Sequence, residues 1–298
     1  MKLNTATVCG LLAIVLWSSI VGLVRSTAGH FGPITGAAGI YTLGTVLLLI
    51  FVGFPRFKQC SAMYLAATGV LFTAYEICLS LAIGFAHSSR QAIEVSMLNY
   101  LWPCLTVLVA IWMNRQRARW MIVPGSLLAL FGVFWILSGS SDESGSRFSL
   151  AEMLGNLADN PLSYGMALAA AFIWAFYCNI TKRFAGGQNG ITLFFAMTSA
   201  SLWLMHLLGH HTIPEASFSA YVEIIIAAAA MACGYALWNI GILRGNMTFL
   251  ATASYFTPVL SCAFAALWLG HVLGWQFWEG VGLVTGGSLL CWWSTRRF

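Results

Sequence analysis

One carboxylate in this sequence stands apart from every other charge. Glu76 lies in the apolar run from 62 to 84, which holds no other Asp, Glu, Lys or Arg. Two kinds of chemistry are open to such a group: it can hold a substrate ammonium, or it can carry a proton. A third arrangement is structural, with Thr73 or Ser80 on the same helix holding a neutral carboxyl. Aromatic and amide side chains share its setting within apolar runs: Trp17, Tyr75, Asn99, Tyr100, Trp174, Tyr235, Trp238, Asn239 and Tyr255. Together with Glu76 they form the candidate substrate-binding set. Indole and phenol rings give a flat ligand a large area to bury against, and an ammonium a π face. Packing is the competing role for Trp17 and Trp174, whose bulk fills space with or without a ligand.

Other titratable groups point to less. Arg90 and Glu94, four residues apart, fit a local surface ion pair better than a binding site. His206, His210 and His211 in "HLLGHH" have a spacing that a metal could use, but they sit at the end of an apolar run and no metal is expected. Enzymatic catalysis needs a nucleophile with its base, a clustered metal set or paired carboxylates within reach of one another. No such set gathers at one depth, so neither an enzyme nor a cofactor is expected.

The elements that position these residues must live in lipid. The chain of 298 residues is 59% hydrophobic and 8% charged, where a soluble domain carries about 25% charged residues. A helix rises about 1.5 Å per residue, so roughly 20 apolar residues cross a hydrocarbon core about 30 Å thick. Ten such runs fall near 6–26, 33–54, 62–84, 91–113, 120–138, 162–183, 191–209, 220–243, 247–270 and 275–295. They are continuous rather than alternating, which predicts helices and excludes a barrel. The expected fold is an all-α integral membrane protein of ten transmembrane helices. The first run, behind Lys2, is long enough to be a span and is taken as one rather than as a signal peptide. Eight cysteines without a close pair fit small core residues better than disulfides or metal ligands.

Charge sets the orientation. With ten spans, eleven basic residues (Lys2, Arg56, Lys58, Arg115, Arg117, Arg119, Lys182, Arg183, Arg244, Arg296, Arg297) share one face, and Arg25, Arg90 and Arg147 take the other. The richer face is expected to be cytoplasmic, with both termini on it. The net charge of +5 then reflects topology, and no nucleic-acid partner is expected. Asp142, Glu143, Glu152 and Asp159 fall in the long connection 139–161, expected to be an external, mobile linker.

The sequence also repeats itself. At an offset of 157, Ala13, Trp17, Ala28, Gly29, Ile34 and Thr35 match Ala170, Trp174, Ala185, Gly186, Ile191 and Thr192. At an offset of 155, Tyr100, Pro103, Trp120, Gly125 and Gly132 match Tyr255, Pro258, Trp275, Gly280 and Gly287. Residues 1–138 and 162–298 thus read as two repeats of five helices. Five is odd, so the second copy is inverted, the architecture of secondary transporters that bind substrate near the bilayer midplane and open alternately. Pro103 and Pro258 each free a carbonyl in mid-span and are candidate hinges, or kinks used for packing alone.

The segment "YFTPVLSCAFAALWLGHVLGWQFWEGVGLVTGG", with its degenerate counterpart "YLWPCLTVLVAIWMNRQRARWMIVPGSLLALFG", resembles the EamA-type drug/metabolite transporter superfamily, and the likeness spans essentially the whole chain. Gly270–His271 departs from a Gly-Glu pair common at that turn, so no acidic role carries over to it. The tryptophan-rich first and sixth spans look most like bacterial inner-membrane exporters of aromatic amino acids, which implies a bacterial inner (plasma) membrane location. The resemblance implies a secondary exporter of phenylalanine, tyrosine, tryptophan or similar amphipathic metabolites. A multidrug or other metabolite exporter of the same superfamily is the alternative. A single chain would hold both halves of a transport unit.

Overall fold

Hydroxyl, glycine and proline residues decide where these apolar helices bend and stop. The computed structural model describes residues 5–55, 60–114, 119–137, 150–185, 188–244, 250 and 253–294. Its helices are α1 (Thr5–Ser18), α2 (Ile20–Phe31), α3 (Pro33–Phe51), α4 (Ala62–Gly84), α5 (Ser89–Asn99), α6 (Trp102–Asn114) and α7 (Ile122–Leu137). They continue as α8 (Leu150–Asp159), α9 (Pro161–Phe184), α10 (Ile191–Leu208), α11 (Phe218–Arg244), α12 (Thr257–Trp268) and α13 (Trp275–Ser294).

The α1–α2 pair bends by 40° at its break. There Ser18 Oγ donates to the Ile14 carbonyl and Ser19 Oγ to that of Leu16, both at 2.7 Å. Hydroxyls that bond back to the preceding turn compete with the helix ladder and bend it. Gly32, at φ +81°, closes α2 in a conformation that side chains disfavour, and Pro33 opens α3 at once. The span after Ser89 breaks at Tyr100–Leu101, just before Pro103, and a second turn at Tyr255–Phe256 precedes Pro258. The candidate hinges therefore sit in the first turn of α6 and of α12, where a missing N–H costs least.

The chain is a multi-pass membrane protein. Among the described residues, six helical segments are long and apolar enough to cross a bilayer: Pro33–Phe51, Ala62–Gly84, Ser89–Met113, Pro161–Phe184, Ile191–Leu208 and Phe218–Trp238. The bent pair Thr5–Ser18 and Ile20–Phe31 makes a seventh if it is one span. Ile122–Leu137 and Thr257–Trp268 are apolar but shorter, so among the described residues helix length supports fewer spans than the ten expected. Among the described residues, the linker 139–161 is not all loop. Leu150, Leu154 and Leu157 share a face of α8, and the Asn156 amide donates to the Leu137 carbonyl at 2.8 Å, docking α8 on the end of α7. The "GSSDESGS" stretch lies outside the described residues.

The most extensive packing joins α7 to α13, α4 to α9, α1 to α11 and α3 to α10. Close approach of α7 and α13 depends on glycine. A Cβ on Gly125 would lie 2.9 Å from Cys291 N, and one on Gly132 2.7 Å from Val284 N. A Cβ on Gly287 would lie 2.5 Å from Ala129 N. Rising numbers on one helix meet falling numbers on the other, so the two run antiparallel with backbones in contact, a small-residue seam of the kind that holds helices in lipid. Large apolar side chains such as Phe51, Trp112, Trp120, Phe218 and Trp275 are exposed, as a lipid-facing surface requires.

Candidate functional site

The bundle buries Glu76 almost completely, at 1% exposure, and supplies it with two phenols. From α3, Tyr41 OH donates to Oε2 at 2.5 Å; from α11, Tyr235 OH donates to Oε1 at 2.6 Å. A carboxylate in apolar surroundings is costly unless such donors meet it. The partners are not Thr73 or Ser80 of its own helix; Ser80 instead hydrogen-bonds the Tyr41 hydroxyl. Tyr41 was not among the candidates. Its position in the middle of the run 33–54 is the one sequence signal that could have found it.

The same tyrosine links the two tryptophans. Tyr235 packs edge-on against Trp17 with centroids 5.1 Å apart, and lies 6.4 Å from Trp174. Trp238 adds a second contact to Trp17 at 5.2 Å. A Cβ on Gly234 would fall 2.7 Å from Trp17 Nε1, so α11 receives the indole where it has no side chain. Trp174 stands 4.4 Å from Tyr75 and stacks on Tyr177 at 4.8 Å. Phe72 and Phe195 back Tyr235 at 5.4 and 5.5 Å. Phe72, Tyr177 and Phe195 were also missed, since an aromatic residue in an apolar run carries no label for which neighbour it meets.

Trp17, Tyr75, Glu76, Trp174, Tyr235 and Trp238 are thus brought into one cluster from α1, α4, α9 and α11. Asn99 joins it through the Tyr75 hydroxyl. Tyr100 neighbours Tyr75 on one side and Ser261 and Cys262 on the other, at the edge of the cluster, and Tyr255 meets Trp292 at 6.0 Å. The side chain of Asn239 lies outside the described residues. Two polar atoms of the set, Trp17 Nε1 and Asn99 Oδ1, are buried without a hydrogen-bond partner. Each costs about 1–3 kcal/mol unless something meets it, and native interiors keep few such atoms without reason.

Polar contacts of another kind lie near the start of α5. Arg90 Nε donates to Glu94 Oε1 at 2.7 Å, but Glu94 is only 4% exposed and also accepts from Tyr164 OH of α9 at 3.1 Å. The pair is therefore an inter-helix tie rather than the local surface pair expected, because α9 packs over α5. His206 Nδ1 bonds Thr35 Oγ1 at 2.9 Å, and no group of three metal-ligating side chains occurs among the described residues. A groove of about 570 Å³ opens between α3 and α11, lined by Leu48, Phe51, Asn189, Ala232, Ala236 and Ile240, next in sequence to Tyr235.

Residues 161–293 match the EamA-like transporter family. Over its full length the chain is 51% identical to the aromatic amino acid exporter YddG of Escherichia coli (strain K12), with 100% of each chain covered. The chain belongs to the EamA-like transporters of the drug/metabolite transporter superfamily. A second aromatic amino acid exporter YddG, from Salmonella typhimurium (strain 14028s / SGSC 2262), is 48% identical over 100% of both chains. One crystal structure superposes at a TM-score of 0.67 with 25% identity over 99% of each chain. In this EamA-like transporter the family match covers α9 to α13, which supply Trp174, Tyr177, Phe195, Tyr235 and Trp238 to the cluster.

Proposed function

We propose that the chain is a secondary transporter that exports aromatic amino acids from a bacterial cell by alternating access around the Trp17, Tyr75, Trp174 and Tyr235 cluster. The observation that carries this is the meeting of Trp17 and Trp174 through Tyr235, with Glu76 beneath it. Such walls match a planar cargo by area and an ammonium by π attraction. The two relatives of highest identity reported above are exporters of this cargo class.

Ten spans in two inverted halves, 1–138 and 162–298, are part of the proposal. The packing map supports it. Exchanging the halves carries the α4–α9 pair onto α11–α1, and carries α3–α10 and α7–α13 onto themselves. The matched glycines of α7 and α13 lie in the same antiparallel seam, as an axis in the membrane plane would place them. The charge bias puts both termini in the cytoplasm. The α3–α11 groove is then the inner approach to Tyr235, and Pro103 and Pro258 mark the two hinges.

Reconstitution in liposomes tests the function. Counterflow of radiolabelled tryptophan should be saturable in the wild type and fall at least about tenfold in Trp17→Ala and Trp174→Ala, the loss of one buried aromatic wall. Wild-type rates in both variants, with correct folding, would remove the cluster from the transport path.

A further inference from the structure

We infer that Asn99, and not Glu76, holds the α-ammonium of the cargo. The inference rests on the proposal above that the cargo is an aromatic amino acid. Both oxygens of Glu76 already accept a phenol, so the carboxylate has its partners within the protein. Asn99 has acceptors to offer. The residue is 5% exposed, and its buried Oδ1 has no partner.

The backbone carbonyl of Asn99 lacks its usual helical donor. Pro103 stands four residues on and has no N–H to return to the Asn99 carbonyl. The other proline break has the same difficulty and meets it internally: Thr257 Oγ1 donates at 2.6 Å to the carbonyl of Ser254, four residues before Pro258. The corresponding position after Asn99 is Trp102, which carries no hydroxyl and turns its ring edge-on to Trp174 at 6.4 Å. Asn99 is also the last residue of α5, where the helix dipole presents partial negative charge. Two oxygens at the end of a helix broken in mid-span suit a cation with several N–H donors, and a primary ammonium has three.

The surroundings fix the rest of the ligand. Tyr75 touches Asn99, and its ring lies 4.4 Å from Trp174, which stacks on Tyr177. An ammonium seated on Asn99 places the cargo's ring along this wall. The site thus selects molecules that join an aromatic ring to a primary ammonium, and discriminates against aromatic acids that lack the amine.

The test measures competition against radiolabelled L-tryptophan in the reconstituted full-length chain. Tryptamine carries the ammonium without the carboxylate, and indole-3-propionate the reverse. In the wild type, tryptamine should compete better than indole-3-propionate. Asn99→Leu should weaken tryptophan and tryptamine by about tenfold or more, the worth of a hydrogen bond to a charged group, and leave indole-3-propionate unchanged. Asn99→Asp, which keeps the shape and adds charge, should widen the preference for tryptamine, and it carries the test alone if Asn99→Leu fails to fold. An unchanged preference in the variants overturns the assignment, as does loss of that preference in Glu76→Gln with its retention in Asn99→Leu. A wild type that binds no tryptophan at all would instead remove the proposed cargo, and this assignment with it.

Discussion

The Tyr235 hydroxyl donates to Glu76 across 2.6 Å, joining a phenol of α11 to a carboxylate of α4 that lies 159 residues away in sequence. Tyr41 closes the other side at 2.5 Å. The three residues form one buried unit, and their energetics should be those of a unit.

Tyr235→Phe keeps the ring against Trp17 and deletes only the donor. It should lower stability by about 1–3 kcal/mol, the cost of leaving a buried acceptor short of a partner. In a Glu76→Leu background the same substitution should cost almost nothing, because the group it serves is gone. Thermal unfolding in detergent measures both. Equal losses in the two backgrounds would mean that Tyr235 acts through its ring alone.

The α7–α13 seam should tolerate no side chain at Gly132. A Cβ there meets the Val284 amide at 2.7 Å, and both sides of the contact are backbone or anchored in helix. Gly132→Val should therefore destabilise by about 1–3 kcal/mol or more, as overpacking does. Gly282 of α13, two residues from Val284 and so turned away from the seam, has nothing within 4 Å of its would-be Cβ, so Gly282→Ala should be neutral or slightly stabilising. Similar melting temperatures for the two variants would contradict the seam.

A pH-dependent tie joins the α4–α5 turn to the end of α8. Asp159 Oδ2 accepts from the Gln91 amide at 2.9 Å and meets His87 Nδ1 at 3.0 Å. These contacts, Gln91 foremost, hold the exposed carboxyl below the usual aspartate range. A depressed folded value means that the stabilisation is present above the unfolded value of about 3.9 and disappears as pH falls through the lower folded value. Asp159→Asn should accordingly lower the melting temperature at neutral pH, and the gap to wild type should close below about pH 4. A gap of the same size at pH 7 and pH 3 would show that charge is not involved.

The inverted arrangement has a direct readout. Single thiols introduced as His30→Cys and Lys182→Cys in a cysteine-free chain, both at exposed positions, should react with an impermeant maleimide from opposite faces of the membrane. Labelling of both from one face would dismiss the two-fold relation between the halves.

Much of the site's membership was legible in the sequence, and little of its geometry. Trp17 and Trp174 announced themselves as a matched pair, and Glu76 as a lone charge in an apolar run, because both signals are local in sequence. Tyr255 matches Tyr100 just as well, yet Tyr100 neighbours Tyr75 while Tyr255 meets Trp292: matching marks kinship and leaves open which way a side chain turns. Tyr41 went unseen for the opposite reason, since a phenol among leucines has no repeat partner and no neighbouring charge to single it out. The expected loop at 139–161 hid α8, whose ten residues were outweighed by the polar stretch before them.

Composition and run length by themselves determined that this chain is a helical membrane protein, because lipid leaves a backbone no other way to satisfy its hydrogen bonds than helix or closed barrel. Only the tertiary structure decided that Glu76 is answered by Tyr41 and Tyr235, and that Asn99 Oδ1 is left without a partner. Those outcomes depend on the rotation of each helix about its axis. In a chain apolar on nearly every face, rotation is set by packing against neighbours and not by a polar side turned to water.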